Sequence, residues 1–400
     1  MFSTRIPMLE NSSHAIASTR LHYLDWLKSL LMLLGVPYHA ALLYADGTNW
    51  FIYSEAKSSV LTIVAALIHS FRMPAFFMIS GMMSSMLLAK RGPAAWAKDR
   101  VNRIGVPLLV ATLLISPLVV LSHRIFLRGG HWQPEIITEI GPILMQPGQH
   151  WVGHLWFLYV LLIYSSGLIG YHYMPPAVKS AVQNFSNICF ANPYMLLASV
   201  IIYEFVVRTV TFLVERSTGF DFRLFGLLNT EALLVNLPFF ALGAYISGKE
   251  FAHPFGGATW KIIAIMAALV GAYSFNEPDF ESKLLWYMSS SVLSIIFSMM
   301  LINIFKRKLN IRSDTIQALS KSSYTIYLFH MPVLTLIGSY LVHSNTALFA
   351  QYVSLLTAGI AIPLLLHQAL GHSPLLIYLF NGTRPKRDNA SEVARVVMPQ

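Results

Sequence analysis

The sequence predicts an all-α polytopic membrane protein, a bundle of about ten transmembrane helices with both termini cytoplasmic, from three observations. First, only 12% of the 400 residues are charged and 55% are apolar, with a mean hydropathy of +0.57. A soluble globular chain carries about 25% charged residues. Second, apolar runs of about 18 residues or more recur along the whole chain, each long enough to cross a bilayer. Third, lysine and arginine collect in alternate connections, as the positive-inside rule requires. The net charge of +10 and pI of 9.6 are explained by that rule and give no support to a nucleic-acid partner. The single cysteine, Cys189, has no partner for a disulfide or a thiolate metal site and reads as a packing residue.

Residues 1–23 are polar and mixed, with no short apolar core followed by a cleavage site, so a cytoplasmic N-terminal segment is expected. The membrane domain, 24–370, divides into spans at 24–43, 60–88, 104–122, 154–173, 194–214, 229–248, 260–275, 284–305, 322–342 and 348–367. The second is long enough to tilt, or to break at Pro74. Basic clusters such as Lys90, Arg91, Lys98, Arg100 and Arg103, and later Lys306, Arg307, Lys308, Arg312 and Lys321, fall on the inside in this register. The outside holds most of the acids, including Glu277, Asp279 and Glu281. The longest outside loop, 124–153, carries Trp132 and Trp151, which suit a membrane-interface belt or a sugar-stacking surface. Residues 371–400 form a cytoplasmic tail, basic after Gly382. The first and second halves show no repeat, which weighs against a transporter built from repeats.

An ionisable side chain at membrane depth requires a partner or a role. Asp25 and His39 share the first span but stand about 14 residues apart, roughly 21 Å along a helix, and cannot form a dyad. Asp25 and Lys28 suit an anchoring ion pair near the cytoplasmic end. His39 follows Pro37, which removes a backbone donor and can kink the helix. Such a position serves a general base beside a cavity and a satisfied structural histidine equally well. Glu204 and Arg208, four residues apart with the acid first, form a favourable helix pair. Arg72 lies near His69 and has no acid in its own span, so it needs a distant carboxylate, a carbonyl or an anionic ligand. His330 precedes Pro332, while His154 and Trp156 open the fourth span. Arg100 and Arg103, three apart at a helix start, can hold a phosphate or simply satisfy topology. No two of His39, His69 and His330 sit on adjacent turns of one helix, so their spacing does not support a metal site.

Residues 20–28 running on to His39, FRMPAFFMISG (71–81), RVNRIGVPLL (100–109), HLWFL (154–158) and SSYTIYLFHMPV (322–333) together resemble acyltransferase family 3 membrane proteins, in the expected order. GVPYHAALLY (35–44), HSFRM (69–73) and LPFFALGA (237–244) resemble the subgroup that succinylates osmoregulated periplasmic glucans in the bacterial inner membrane. The resemblance implies His39 as the catalytic histidine and Arg100 with Arg103 as donor-handling residues. Lys28 stands where the family has arginine, losing a bidentate contact. The implied reaction moves a succinyl group from cytoplasmic succinyl-CoA, a co-substrate and not a resident cofactor, to a glucan hydroxyl outside. His39 would act as base or as an acylated nucleophile, with Arg72 holding the oxyanion or the succinyl carboxylate. His69, His330, His154 and Trp156 are expected to line the substrate path. O-acetylation of another surface glycan and transport of an organic anion or glycan are the rival expectations.

Overall fold

The computed structural model describes residues 21–383 apart from 48–49, 147, 191, 220–222, 225–226, 248–260, 262 and 269–279. The expected seventh span therefore lies largely outside the described residues, as do nearly all of the N-terminal segment and the end of the basic tail. Among the described residues, seven helices are long and apolar enough to cross a membrane.

The first expected span is two helices, α1 (His22–Leu33) and α2 (Gly35–Leu42). Their junction lies where the Pro37 ring would strike the carbonyl four residues earlier, that of Leu33. The second span, α3 (Ser59–Arg91), is by contrast unbroken at Pro74. Next come α4 (Pro93–Arg100), a π turn at Val101–Gly105, α5 (Val106–Leu114) and α6 (Ser116–Leu127), which together make one crossing. The long outside loop contains α7 (Glu135–Met145) and α8 (Gln149–Val152), tied down by an Arg128–Glu139 ion pair and by Trp151 Nε1 donating to the Leu144 carbonyl at 3.0 Å. A 3₁₀ turn, Gly153–Leu155, leads into α9 (Trp156–Tyr173), followed by α10 (Pro176–Cys189) and α11 (Pro193–Thr218). A two-stranded antiparallel ribbon pairs β1 (Arg223–Leu224) with β2 (Leu228–Asn229). The chain closes with α12 (Thr230–Ile246), α13 (Phe280–Lys308), α14 (Asp314–Leu341), α15 (Leu348–Gly371) and α16 (Pro374–Asn381).

Two helices organise the bundle. α3 packs on α12 and α13, α14 packs on α15 and α6, and the broken α1–α2 segment touches both. The α3–α12 contact is backbone to backbone: a Cβ at Gly81 would land on the Phe240 carbonyl, and one at Gly243 on the Met78 carbonyl. In a bilayer, where lipid tails are as apolar as the helices, such small-residue contacts let dispersion hold a pair together. α16, within the expected tail, packs on α5, and Tyr378 Oη donates to Asn102 Oδ1 at 3.0 Å.

Pro74, Pro238 and Pro332 each leave one helix carbonyl without its backbone donor, and a side chain from another element supplies a replacement. Ser294 Oγ donates to the Ser70 carbonyl freed by Pro74. Tyr203 Oη donates to the Leu234 carbonyl freed by Pro238, at 3.0 Å. His154 Nε2 donates to the Leu328 carbonyl freed by Pro332, at 3.1 Å. Outside the spans, burial pushes the Tyr44 phenol up, and it donates to Gln351 Oε1 at 2.9 Å.

Candidate active site

Between the broken first span, α3, α9 and α14 lies a cavity of about 30 Å³, room for a water-sized occupant. Its polar lining is His39, Arg72, His154, Trp156, Tyr327 and His330, and Leu31, Met32, Met73, Phe76 and Phe157 complete the wall. The imidazoles of His39 and His330 lie 5.3 Å apart between centroids, and His154 stands 5.7 Å from His330 at 86°. His39 thus faces the interior of the bundle beside a cavity.

Hydrogen bonds decide which nitrogen of each imidazole is available. His330 Nδ1 lies 3.0 Å from the Ile326 carbonyl and 2.8 Å from that of Tyr327. A carbonyl only accepts, so Nδ1 carries the proton and the lone pair is on Nε2. That Nε2 is buried and without a partner. In His154 the assignment is reversed, because Nε2 donates to Leu328 and leaves the lone pair on Nδ1. Tyr327 Oη donates to the His154 carbonyl at 2.7 Å, joining the start of α9 to α14. His39 Nδ1 is also buried without a partner, while its ring stacks on Trp50 at 5.7 Å.

The Arg72 guanidinium sits 4.7 Å over the Tyr38 ring, with Nε buried and unpartnered. Among the described residues no carboxylate pairs with it. Cation–π attraction compensates part of its desolvation and leaves the full positive charge directed into the site. Gly35 makes this geometry possible: a Cβ there would lie 2.8 Å from Arg72 Nη1 and 3.5 Å from His330 Nε2. The guanidinium and the available imidazole nitrogen thus converge on one backbone position.

The remaining expected residues divide. His69 lines an adjoining cavity, its Nδ1 3.0 Å from Tyr38 Oη. Arg100 and Arg103 lie outside both cavities and have different partners. Arg100 Nη2 donates to Ser84 Oγ at 2.8 Å and its guanidinium lies 5.0 Å over Trp96, whereas Arg103 pairs with Asp99 at 2.9 Å. The π turn between them widens the helix and changes the angle that an α-helix would set between residues three apart. Tyr38, Trp50 and Tyr327 escaped the sequence reading. Tyr327 is three residues before His330, one helical turn, which is the signal that would have found it.

The model of an acyltransferase domain family matches residues 21–368, which takes in every residue of the cavity. The chain belongs to acyltransferase family 3. Curated relatives of this membrane acyltransferase include glucans biosynthesis protein C of Salmonella schwarzengrund, 28% identical over 389 residues, covering 94% of this chain and 98% of the relative. The protein of the same name from Salmonella typhimurium is 28% identical, covering 95% and 99%. That from Escherichia coli O6:K15:H31 is 29% identical over 403 residues, also covering 95% and 99%. No solved structure matches the chain. For an acyltransferase, the cavity brings together two imidazole nitrogens without partners and a cation with no carboxylate on it among the described residues, the groups that proton removal and oxyanion stabilisation require.

Proposed function

We propose that this acyltransferase transfers succinyl groups from cytoplasmic succinyl-CoA to hydroxyls of osmoregulated periplasmic glucans in the bacterial inner membrane. The observation that carries the reading is Arg72, a buried guanidinium that faces imidazoles and has no carboxylate among the described residues. Such a cation favours an anion beside it, which a succinyl thioester supplies twice, as its free carboxylate and as the tetrahedral oxyanion. The printed name of the relatives, glucans biosynthesis protein C, supports the acceptor class.

In this reading His39 accepts the proton of the sugar hydroxyl as its oxygen attacks the thioester carbonyl. The carbon–sulfur bond breaks, the proton passes to the departing thiolate, and free coenzyme A leaves towards the inside. Arg72 holds the developing oxyanion or the succinyl carboxylate, while His154 and Trp156 shape the path. Arg100 and Arg103, which line neither cavity, contact the donor phosphates on the cytoplasmic side in this reading. No resident cofactor takes part.

Mass spectrometry of periplasmic glucans tests this, in cells lacking the protein and complemented with wild type or His39→Ala at matched membrane levels. Succinyl esters restored by wild type alone are expected. Restoration by both removes His39 as the catalyst. Glucans unchanged in every strain, with acetyl esters lost from another surface polymer, would replace the proposed acyl group and acceptor.

A further inference from the structure

A second, larger cavity of about 260 Å³ adjoins the first across Met73 and Trp156, which line both. Its walls bring Asn229 and Glu231 from the start of α12, Trp286 from α13, and Glu204 and Arg208 from α11. By the charge distribution that orients the spans, the starts of α12 and α13 lie on the outside, so this cavity belongs to the acceptor's side of the bilayer.

Its electrostatics are opposite to those of the central site. Arg208 is bound on three sides: Nε lies 3.6 Å from Glu204, Nη1 donates to Glu231, and the guanidinium rests 3.5 Å over the Tyr287 ring. Arg208 already has two carboxylate partners, and among the described residues lining this cavity no unpaired cation is left for an anionic ligand. Carboxylate and amide oxygens accept from hydroxyls, the Asn229 amide can also donate, and indole offers an apolar face for the C–H side of a pyranose. Trp286 is held flat by stacking on His69 at 5.6 Å and 12°, and His69 in turn meets Tyr38, the ring beneath Arg72.

We propose that this cavity seats an uncharged sugar residue of the acceptor, stacked on Trp286 and hydrogen-bonded by Asn229 and Glu231, with its reacting hydroxyl directed past Met73 and Trp156 towards His39. The assignment rests on the acyl-transfer reading and adds a division by charge: the unpaired Arg72 draws the anionic acyl group, and the doubly countered Arg208 admits only a neutral saccharide.

The test titrates the full chain in lipid nanodiscs with a neutral glucose trisaccharide, with the same trisaccharide bearing one carboxylate, and with coenzyme A, following binding by calorimetry. The neutral sugar is expected to bind at least tenfold more tightly than its charged analogue. Trp286→Ala should weaken it at least tenfold and Trp286→Phe should restore most of that loss, with coenzyme A binding unchanged in both. Glu231→Gln, which removes one negative charge, should narrow the neutral-to-charged preference. Neutral-sugar binding indifferent to Trp286→Ala, or a charged analogue bound equally well, overturns the site. If no sugar binds while glucan-dependent release of coenzyme A persists, the site falls and the acyl-transfer reading survives. The expected binding pattern without any release of coenzyme A would leave the site standing and remove the acyl-transfer reading.

Discussion

His154 donates its Nε2 proton to the carbonyl of Leu328, a group that lacks a backbone donor only because residue 332 is proline. A residue in α14 thus fixes the tautomer of a histidine at the start of α9. Pro332→Ala restores an N–H that competes for Leu328 and releases the imidazole. Thermal unfolding in detergent should show an equally or more stable protein, since a proline inside a helix costs up to about 3 kcal/mol. Glucan-dependent coenzyme A release should nonetheless fall, by about tenfold, and a variant of undiminished activity would show that the His154 tautomer is irrelevant.

His330 offers a sharper separation of roles. Asparagine can reproduce the Nδ1 donor to Ile326 and Tyr327 but supplies no Nε2 lone pair. If Nε2 takes part in proton transfer, His330→Asn and His330→Ala should both lower kcat by about 10²-fold or more. Recovery in the asparagine variant alone would reduce His330 to a helix tether.

Arg72→Met removes the unpaired cation. Loss of about 10² to 10³ in kcat with both succinyl and acetyl thioesters is the outcome for an oxyanion contact. Loss confined to the succinyl donor would identify a carboxylate contact instead. Steady-state kinetics with the two donors distinguishes these outcomes. Arg72→Lys should recover only part of either, because an ammonium gives no planar stack on Tyr38.

Gly81→Ala and Gly243→Ala should each destabilise the protein by about 1–3 kcal/mol, as overpacking does, because the new carbon meets backbone that cannot rotate away. A lowered unfolding temperature and earlier aggregation on gel filtration are the readouts. Gly141→Ala, where open space surrounds the added carbon, is the control and should leave both unchanged.

The helical class, most span positions and the Glu204–Arg208 pair were legible because each depends on local spacing: hydropathy over one crossing, or four residues on one helix. What spacing does not encode is convergence. His39, Arg72, His154 and His330 come from four different parts of the chain, and only the packing of α3 and α14 around the broken first span makes them neighbours. The same limit hid the π turn at Val101–Gly105, after which Arg100 and Arg103 meet different partners, since a π turn carries no residue pattern of its own. It also concealed the second carboxylate on Arg208, Glu231, which belongs to the next helix. Pro37 and Pro74 look alike as isolated residues, yet the chain divides near Pro37 and runs straight through Pro74, where Ser294 from α13 satisfies the Ser70 carbonyl left without a donor.

Gly35 and two methionines bound the space around Arg72 and His330 in unlike ways. At Gly35 the main chain fixes the clearance for both side chains, and no rotamer can alter it. Met32 and Met73 line the central cavity with unbranched thioethers that bend to fit what lies against them. On the acyl-transfer reading, bulkier or slimmer residues at those two positions are expected to retune the enzyme for shorter or longer donors, while the clearance at Gly35 stays constant as a fixed jaw.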